Sequence, residues 1–544
     1  MSTVRQMLIV GLLAWTCTLS ARGQDGRSLK DALAIEDSIQ SAIRQAEPSI
    51  ASILVSRSED YAKEFGDAPP RDKPGQLGGF DATSKLPEPE QRGPRWGGRG
   101  EDPDVAKRRE IVRKCDLANP QVIPESYGSG VVIDGREALI LTNYHVVRGA
   151  TKVFVRLPGT KGSYADIHAA DSRCDLAVLK LLTPPANPLK EIKMGDGGKA
   201  QKGQFVVVLA NPFAAGFRDG SPSASWGIIS NIQRRVAAGT HEEELRPLHN
   251  LSTLLQTDAR LQIGCSGGAM LNLRGEMIGL TTSRAAIVGS ESAGGYAMPM
   301  NESIKRIIGE LRKGVEVSYG FLGVSFSPVA SFGGRRMGGP WDDQRQFLDV
   351  RPKSSDRGVF VHGVTSRSPA AISGIKSGDV IQSMNGKVLN DSDDLLLNII
   401  TQLAGTEAVL GIQDRREPIT VTLAKYKPPT EVIVSTKHKA VRGLRVDYAS
   451  VIPPRQVFWR QSSGIHFGVL VSEVVADSAA AKAGLKANDD VISHVEGAEV
   501  STPAEFYLKA SKISKRAPLH MTLVVEGERG GGSTEREVVI EGEP

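Results

Sequence analysis

Two spacings of apolar residues alternate along the chain. Leu33, Ile35, Ile39 and Ile43 recur at helical intervals within residues 29–45, and Pro48 is expected to end that helix. Residues 49–56, SIASILVS, then read as a strand. From Gly128 to about Pro299 the pattern becomes short β-rich runs bounded by turn residues: SGVVID, ALILTN, KVFVRL, DLAVLKL, QFVVVLA, GIISNI, EMIGLT and GGYAMP. Many short strands at such spacing predict an all-β barrel or sandwich. A helical stretch, NESIKRIIGELRKG, closes the region.

The last third contains an internal repeat. VHGVTSRSPAAISGIKSGDVIQSMNGKVL matches VSEVVADSAAAKAGLKANDDVISHVEGAEV, with Ser368 against Ser478, Gly374 against Gly484 and Gly386 against Gly497. A period of about 110 residues is too long for a solenoid and implies two copies of one small domain. TEVIVSTKHK, following KYKPP, reads as the linker. Between Ser58 and Val122 the periodic pattern gives way to Pro, Gly and mixed charge, a loop composition long enough to be unusual inside a compact domain.

Length and composition narrow the class. A chain of 544 residues implies more than one domain. With 40% hydrophobic and 24% charged residues it is ordinary globular protein, and a net charge of +5 from mixed signs does not favour nucleic acid as a partner. MSTVRQMLIVGLLAWTCTLSARGQDG reads as a secretory signal: Arg5 is the positive end, residues 7–19 are the apolar core, and cleavage is expected before Gln24. That core is shorter than the ~20 residues a bilayer span needs. Cys115, Cys174 and Cys265 do not make a disulfide framework, and neither C-x-x-C nor H-E-x-x-H occurs. No metal or organic cofactor is expected.

IGCSGGAM, residues 263–270, offers both a thiol and a hydroxyl as nucleophile. Either needs a base, and the base needs an orienting group. His145 follows an apolar strand in LILTNYHVV, and Asp175 opens another in DLAVLK. With Ser266 the chain order is His, Asp, Ser, the order of chymotrypsin-type proteases. Imidazole takes the serine proton, a buried carboxylate fixes the imidazole tautomer, and two backbone N–H groups receive the oxyanion. The amides of Gly264 and Ser266 are the expected pair, with glycine at 264 allowing the backbone twist. Cys265 is read as small apolar packing.

TNYHVV, DLAVLK and QTDARLQIGCSGGAMLNLRGEMIGL resemble the three catalytic signatures of HtrA/Deg serine proteases. NPFAAGF with WGIIS, and GGYAMPMNES, resemble that family's flanking segments. Tyr144 stands where the family commonly has Asn, and QIGCSGGA stands for its N-P-G-N-S-G-G-P. The resemblance implies a mainly β fold: a chymotrypsin/trypsin-like double β-barrel followed by two PDZ-like α+β domains. It places Arg260 or Leu261 in a specificity pocket, Arg260 being otherwise a solvent-facing residue. In the first repeat the peptide-binding turn is expected at Phe321, Leu322, Gly323 and Val324. In the second it is expected at Gly443, Leu444, Arg445 and Val446. SFGGRRMGGPWDD, residues 331–343, is read as a loop over the first groove.

The expected organisation is a signal peptide at 1–23, a helical segment at 24–47 and a protease domain at 48–315 with its insert at 58–122. A PDZ-like domain at 316–427, a linker at 428–439 and a second PDZ-like domain at 440–544 complete it. The function implied is an exported, periplasmic or secreted serine endopeptidase of protein quality control, forming a homotrimer or larger homo-oligomer. Its expected partners are unfolded polypeptides and, at the PDZ domains, C-terminal or apolar peptides; no nucleic acid and no stable transmembrane span are expected. The rival functions are a weakly proteolytic chaperone or scaffold and a narrow signalling protease.

Overall fold

The computed structural model describes residues 29–58, 76–77, 116–119, 122, 124–217, 219–234, 254–282, 295–328, 357–365, 368–426, 432–451, 468–525 and 534–542. The expected signal segment, Cys115, most of the 58–122 insert and the 331–343 stretch lie outside these residues. The chain divides into two compact units, Met1–Gly314 with Val432–Ser435, and Val315–Glu431 with Thr436–Pro544. Among the described residues no helix is long and apolar enough to cross a membrane.

The first unit opens with helix α1, residues 29–46, which passes into a 3-10 turn at Glu47–Ser49 around Pro48. Strands β1 (Ile50–Ser56), β2 (Ser126–Asp134), β3 (Leu139–Asn143), β4 (Lys152–Arg156), β5 (Ser163–Asp171) and β6 (Leu176–Leu181) follow, with the short helix α2 (Tyr144–Val147) between β3 and β4. They pair in the order β5-β4-β1-β2-β3-β6, and β6 returns to β5, so the sheet closes on itself. Closure removes exposed strand edges. Val132, Ile140, Val153, Val155, Ala177 and Leu179 fill the interior.

A second six-stranded barrel is built from β7 (Phe205–Ala210), β8 (Ser223–Arg234), β9 (Leu254–Thr257), β10 (Ala269–Leu271), β11 (Met277–Thr282) and β12 (Gly295–Pro299). Val206, Val208, Ile229, Met270 and Ile278 lie in its core. Helix α3 (Glu302–Arg312) is capped by Asn301, whose side chain accepts from the Ile304 amide. It buries Ile304, Ile307, Ile308 and Leu311 on one face, and Arg312 holds Asp134 of β2 through Nε and Nη2 at 2.9 and 2.6 Å.

In the second unit, β13 (Tyr319–Phe321), β14 (Val324–Pro328), β15 (Val359–Val364), α4 (Pro369–Ile372), β16 (Val380–Met384), β17 (Lys387–Val388), α5 (Ser392–Ile400), β18 (Glu407–Ile412), β19 (Ile419–Thr422) and β20 (Ala424–Tyr426) make the first repeat. Its sheet runs β14-β15-β16-β18-β19. After β21 (Val432–Val434), which belongs to the first unit, the second repeat follows. It comprises β22 (Leu444–Tyr448), β23 (Val469–Val474), α6 (Ala479–Lys482), β24 (Val491–Val495), β25 (Ala498–Glu499), α7 (Pro503–Ser511), β26 (Leu519–Val525) and β27 (Thr534–Ile540). The order β22-β23-β24-β26-β27 repeats the first sheet strand for strand. The aligned residues do the same jobs: Ser368 and Ser478 cap α4 and α6, while Gly374 and Gly484 take φ of 77° and 76°. Lys425, at the end of the first repeat and buried, is held by Glu316 at 2.9 Å and by Asp447 of the second repeat at 2.8 Å.

The β10–β11 turn carries an electrostatic clasp. Donors from Asn272, Lys193 and Arg274 hold the Glu276 carboxyl down to about 2. A carboxylate depressed below its ordinary value of about 4.3 adds stability above that value and loses it as pH falls through the folded one. Glu276→Gln is therefore expected to lower the thermal midpoint at pH 7, with the difference from wild type closing as melts are repeated down to pH 2.

Candidate active site

The three chemistry-bearing side chains lie beside strand termini: His145 just after β3, Asp175 just before β6 and Ser266 in the turn that leads into β10. His145 lies in α2, directly after β3. Tyr144 N–H and Asn143 Nδ2 both donate to the Asp175 carbonyl at 3.0 Å, which pins the start of α2 against the start of β6. His145 N–H donates to Asp175 Oδ1 at 3.0 Å. Its ring Nδ1 stands 2.8 Å from Oδ2 and 3.0 Å from Oδ1. A carboxylate only accepts, so Nδ1 carries the proton and the Nε2 lone pair is left for Ser266 Oγ, 3.0 Å away. The Asp175 side chain is 3% exposed and that of His145 22%, so the carboxylate faces protein while the imidazole keeps an opening to solvent.

Asp175 is held in the left-handed region, φ 55°, a strained shape for a residue with a Cβ. A buried clip lies just before it. The Asp171 carboxylate accepts from the Arg173 backbone N–H at 2.9 Å, from its Nε at 2.8 Å and from its Nη2 at 2.6 Å, all buried.

Ser266 belongs to the second barrel. The turn before it is closed by Cys265 N–H donating to the Gln262 carbonyl at 3.0 Å, with Gly264 at φ 95°. The Ile263 carbonyl accepts from Phe213 N–H at 2.8 Å. A trans peptide points its N–H away from its C=O, so the Gly264 N–H faces the other side, where it has no acceptor among the described residues. Cys265 and Cys174 are buried, unbridged thiols. Burial pushes the Cys265 thiol up, outweighing the opposite pull of the Gln262 amide that its Sγ accepts from at 3.4 Å, and the side chain is packed in the second barrel's core.

One residue joins the barrels at this point. Ser129 of β2 donates its N–H to the Ser266 carbonyl at 2.8 Å, and its carbonyl accepts from Thr142 Oγ1 at 2.7 Å. Its hydroxyl donates to the Gly264 carbonyl and accepts from the Asn211 amide, both at 2.8 Å. The glycines alongside are needed for the approach: a Cβ on Gly267 would stand 2.0 Å from the Ser129 carbonyl. Arg260 is exposed and its carbonyl accepts from Ser225 Oγ at 3.1 Å, so its guanidinium is not a buried group at the base of a pocket. Leu261 is half-buried against the second core, facing Gly295.

The trypsin-like peptidase family model matches residues 128–280, and the PDZ family model matches residues 320–424. Periplasmic pH-dependent serine endoprotease DegQ of Escherichia coli K12 is 32% identical over 396 residues, covering 72% of this chain and 77% of DegQ. Periplasmic serine endoprotease DegP of Salmonella typhimurium is 31% identical over 366 residues, covering 67% and 68%. The chain belongs to the HtrA-type DegP/DegQ family of serine endoproteases. It carries that family's trypsin-like peptidase domain and a PDZ domain.

Within this HtrA-type chain the two repeats differ at the turn that leads into the edge strand. In the first, Leu322 is buried and the Gly323 carbonyl accepts from Thr365 N–H at 2.9 Å. The amides of Leu322 and Gly323 have no acceptor among the described residues. Strand β14 is an edge, and α5 packs beside it. In the second repeat the equivalent bonds run from Val475 N–H to the Gly443 carbonyl and from Ala480 N–H to the Arg442 carbonyl. The counterpart of Phe321–Val324 is thus Val441–Leu444, not the Gly443–Val446 stretch expected from sequence; Arg445 and Val446 lie on β22. The expected register fails because Arg442 occupies the buried place of Leu322, with its guanidinium donating to the carbonyls of Ile540, Ser514 and Ala517.

The second turn also closes on itself. Val441 and Leu444 exchange both N–H···O bonds at 2.9 Å, Val446 N–H donates to Tyr507 Oη at 3.2 Å, and His438 stacks on the Tyr507 ring at 5.0 Å.

Ser129 was not singled out in the sequence; the G-S-G spacing around it, small residues flanking one hydroxyl at a strand start, is the only local signal. Ser129→Ala leaves the buried Asn211 amide without its acceptor. It is expected to lower unfolding stability by about 1–3 kcal/mol, measured by urea titration, and to lower kcat more than it raises KM.

Proposed function

We propose that the chain is an exported endopeptidase that cleaves unfolded polypeptide with Ser266 as nucleophile, His145 as general base and acid, and Asp175 as the group that orients it. The observation that carries this reading is the continuous relay from Asp175 Oδ2 through His145 to Ser266 Oγ, 2.8 and 3.0 Å. Ser266 Oγ attacks the scissile carbonyl carbon while its proton passes to His145 Nε2. The carbonyl oxygen becomes an oxyanion received by the N–H groups of Gly264 and Ser266. Collapse breaks the C–N bond, and the imidazolium returns the proton to the leaving amine. Water then repeats the sequence on the acyl-serine, with His145 again as base. Asp175 stays ionised throughout and stabilises the imidazolium.

Substrate recruitment is assigned to the first PDZ domain. Its edge strand and the two amides of Leu322 and Gly323 suit an extended apolar C-terminus ending in a free carboxylate. The second repeat has closed that turn, which supports a structural role for it. Export to the periplasm is supported by the relatives, whose names call them periplasmic, and by the N-terminal signal pattern.

Casein degradation by the chain from Gln24 tests the reading. Ser266→Ala is expected to remove activity by about 10⁶ in kcat and Asp175→Asn by about 10⁴. Casein bound but uncleaved by wild type would replace the protease with a chaperone. An apolar peptide with a free C-terminus is expected to bind at least about tenfold more tightly than its C-terminal amide, and Tyr507→Phe to leave that affinity unchanged.

A further inference from the structure

Strand β5 has one barrel neighbour on each edge and needs a third to complete one of them. Only its start pairs with β4, Tyr164 with Phe154 and Ser163 with Val155, while β6 lies along its other side from Ala165 to Asp171. The far half of the β4-facing edge would otherwise present unpaired backbone groups. Strand β21, three residues from the chain that joins the two repeats, covers that half. Val432, Ile433 and Val434 pair antiparallel with Asp171, Ala170 and Ala169.

Two further attachments make this more than a short ladder. Ile433 packs against the core of the first barrel, whose members include Tyr144 and Val146 on either side of His145. Beyond the strand, Ser435 N–H donates to the His168 carbonyl at 3.0 Å. The His168 ring is spent on both sides: Nε2 lies 3.1 Å from the Arg312 carbonyl and so carries the proton, leaving Nδ1 to accept from Ser435 Oγ at 2.9 Å. Arg312 in turn holds Asp134 of β2.

What β5 runs into is the clip Asp171–Arg173 and then Asp175. Asp171, the residue whose carboxylate grips Arg173, is also the residue that pairs with Val432. Asp175 sits four residues on, in a left-handed conformation that its surroundings must impose.

We propose that β21 is a strap which positions Asp175, acting through the Asp171–Arg173 clip and so on the aim of the His145 ring. The proposal rests on the triad reading above. Val432–Ser435 and Arg173 are positioning residues, since none touches substrate. Loss of the strap frees the Ala169–Asp171 backbone, and Asp175 loses the fixed base that keeps its carboxylate on Nδ1. Substrate contacts do not run through this edge, so the effect falls on kcat.

The test uses the full mature chain and a short chromogenic peptide, so that PDZ recruitment does not enter. Ile433→Asp is expected to lower kcat about 10- to 100-fold with KM within about twofold, because small misplacements of a reacting group are costly. Ile433→Val should restore wild-type kcat. Hydrogen exchange should quicken at amides 169–171 in Ile433→Asp and stay unchanged in the second barrel. In an Asp175→Asn background Ile433→Asp should cost no more than about twofold, since both act through one carboxylate.

Should Ile433→Asp fail to fold, Ser435→Ala removes a single hydrogen bond and is expected to lower kcat about two- to tenfold. Wild-type kcat in the strap variants despite faster exchange at 169–171 would overturn the proposal, as would an undiminished loss in the Asp175→Asn background. The triad reading fails separately, on wild-type activity in Asp175→Asn itself.

Discussion

The structure of the protease unit turns on how closely β2 can approach the turn that carries Ser266. All four polar functions of Ser129 are used there, two on the Ser266 turn, one on Thr142 and one on Asn211. Hydrogen bonds of this kind are short-ranged, so the strand must come within contact distance of the turn. Gly128, Gly130, Gly264 and Gly267 make that possible; a Cβ on Gly128 would meet Val146 at 2.6 Å, and one on Gly264 would meet the Asn211 carbonyl at 2.7 Å. Ser266 of one barrel and His145 of the other then stand within a single hydrogen-bond distance. Packing, not a flexible loop, sets the 3.0 Å between His145 and Ser266.

The same unit accepts local strain at its chemistry. Asp175 and Gly264 both sit at positive φ, the first without the excuse of a missing side chain. Each is held by bonds on several sides: Asn143, Tyr144 and His145 donate to Asp175, while Phe213 and Ser129 fix the carbonyls before and after the Gly264 Cα. Strained residues persist only where the neighbourhood over-determines them. Here the neighbourhood is drawn from both barrels, so the geometry depends on the whole unit being folded.

How much of this was legible follows from range. His145, Asp175 and Ser266 could be singled out by local patterns, the first following an apolar run, the second opening one and the third set in a glycine-rich turn, and the repeat could be aligned because caps and left-handed glycines recur at fixed offsets. Strands β5, β9 and β10 left no such trace. SYADIHAAD mixes Asp and His into its strand because β5 is paired along both edges and places those polar residues toward α3, β21 and the barrel rim. AML and LLQT are too short to show a period. Residues 428–439 read as a linker by composition, and only a partner some 260 positions away reveals that VIV is a strand. Ser129 was invisible for the same reason: its four partners are scattered over the chain.

The divergence of the two repeats is a case where one substitution carries the logic. Both copies keep the sheet order, the capping serines and the glycine against which that serine packs. At the residue before that glycine, the first copy buries Leu322, which needs no hydrogen-bond partner and leaves the turn open. The second buries Arg442, and a buried guanidinium must find acceptors. It takes the carbonyls of Ser514, Ala517 and Ile540, at the ends of α7 and β27, and so ties the turn to the far side of its own domain. Arg442 itself is driven to φ 53°, which brings Val441 and Leu444 together as a bonded pair. That pair consumes the Leu444 amide beside Arg442 and Gly443, the counterparts of Leu322 and Gly323, and Tyr507 takes the Val446 amide farther along the edge. A domain that keeps its fold but spends its binding groups internally can still be retained as a rigid body, and the buried Lys425, clasped between Glu316 and Asp447, joins it to the first copy on those terms.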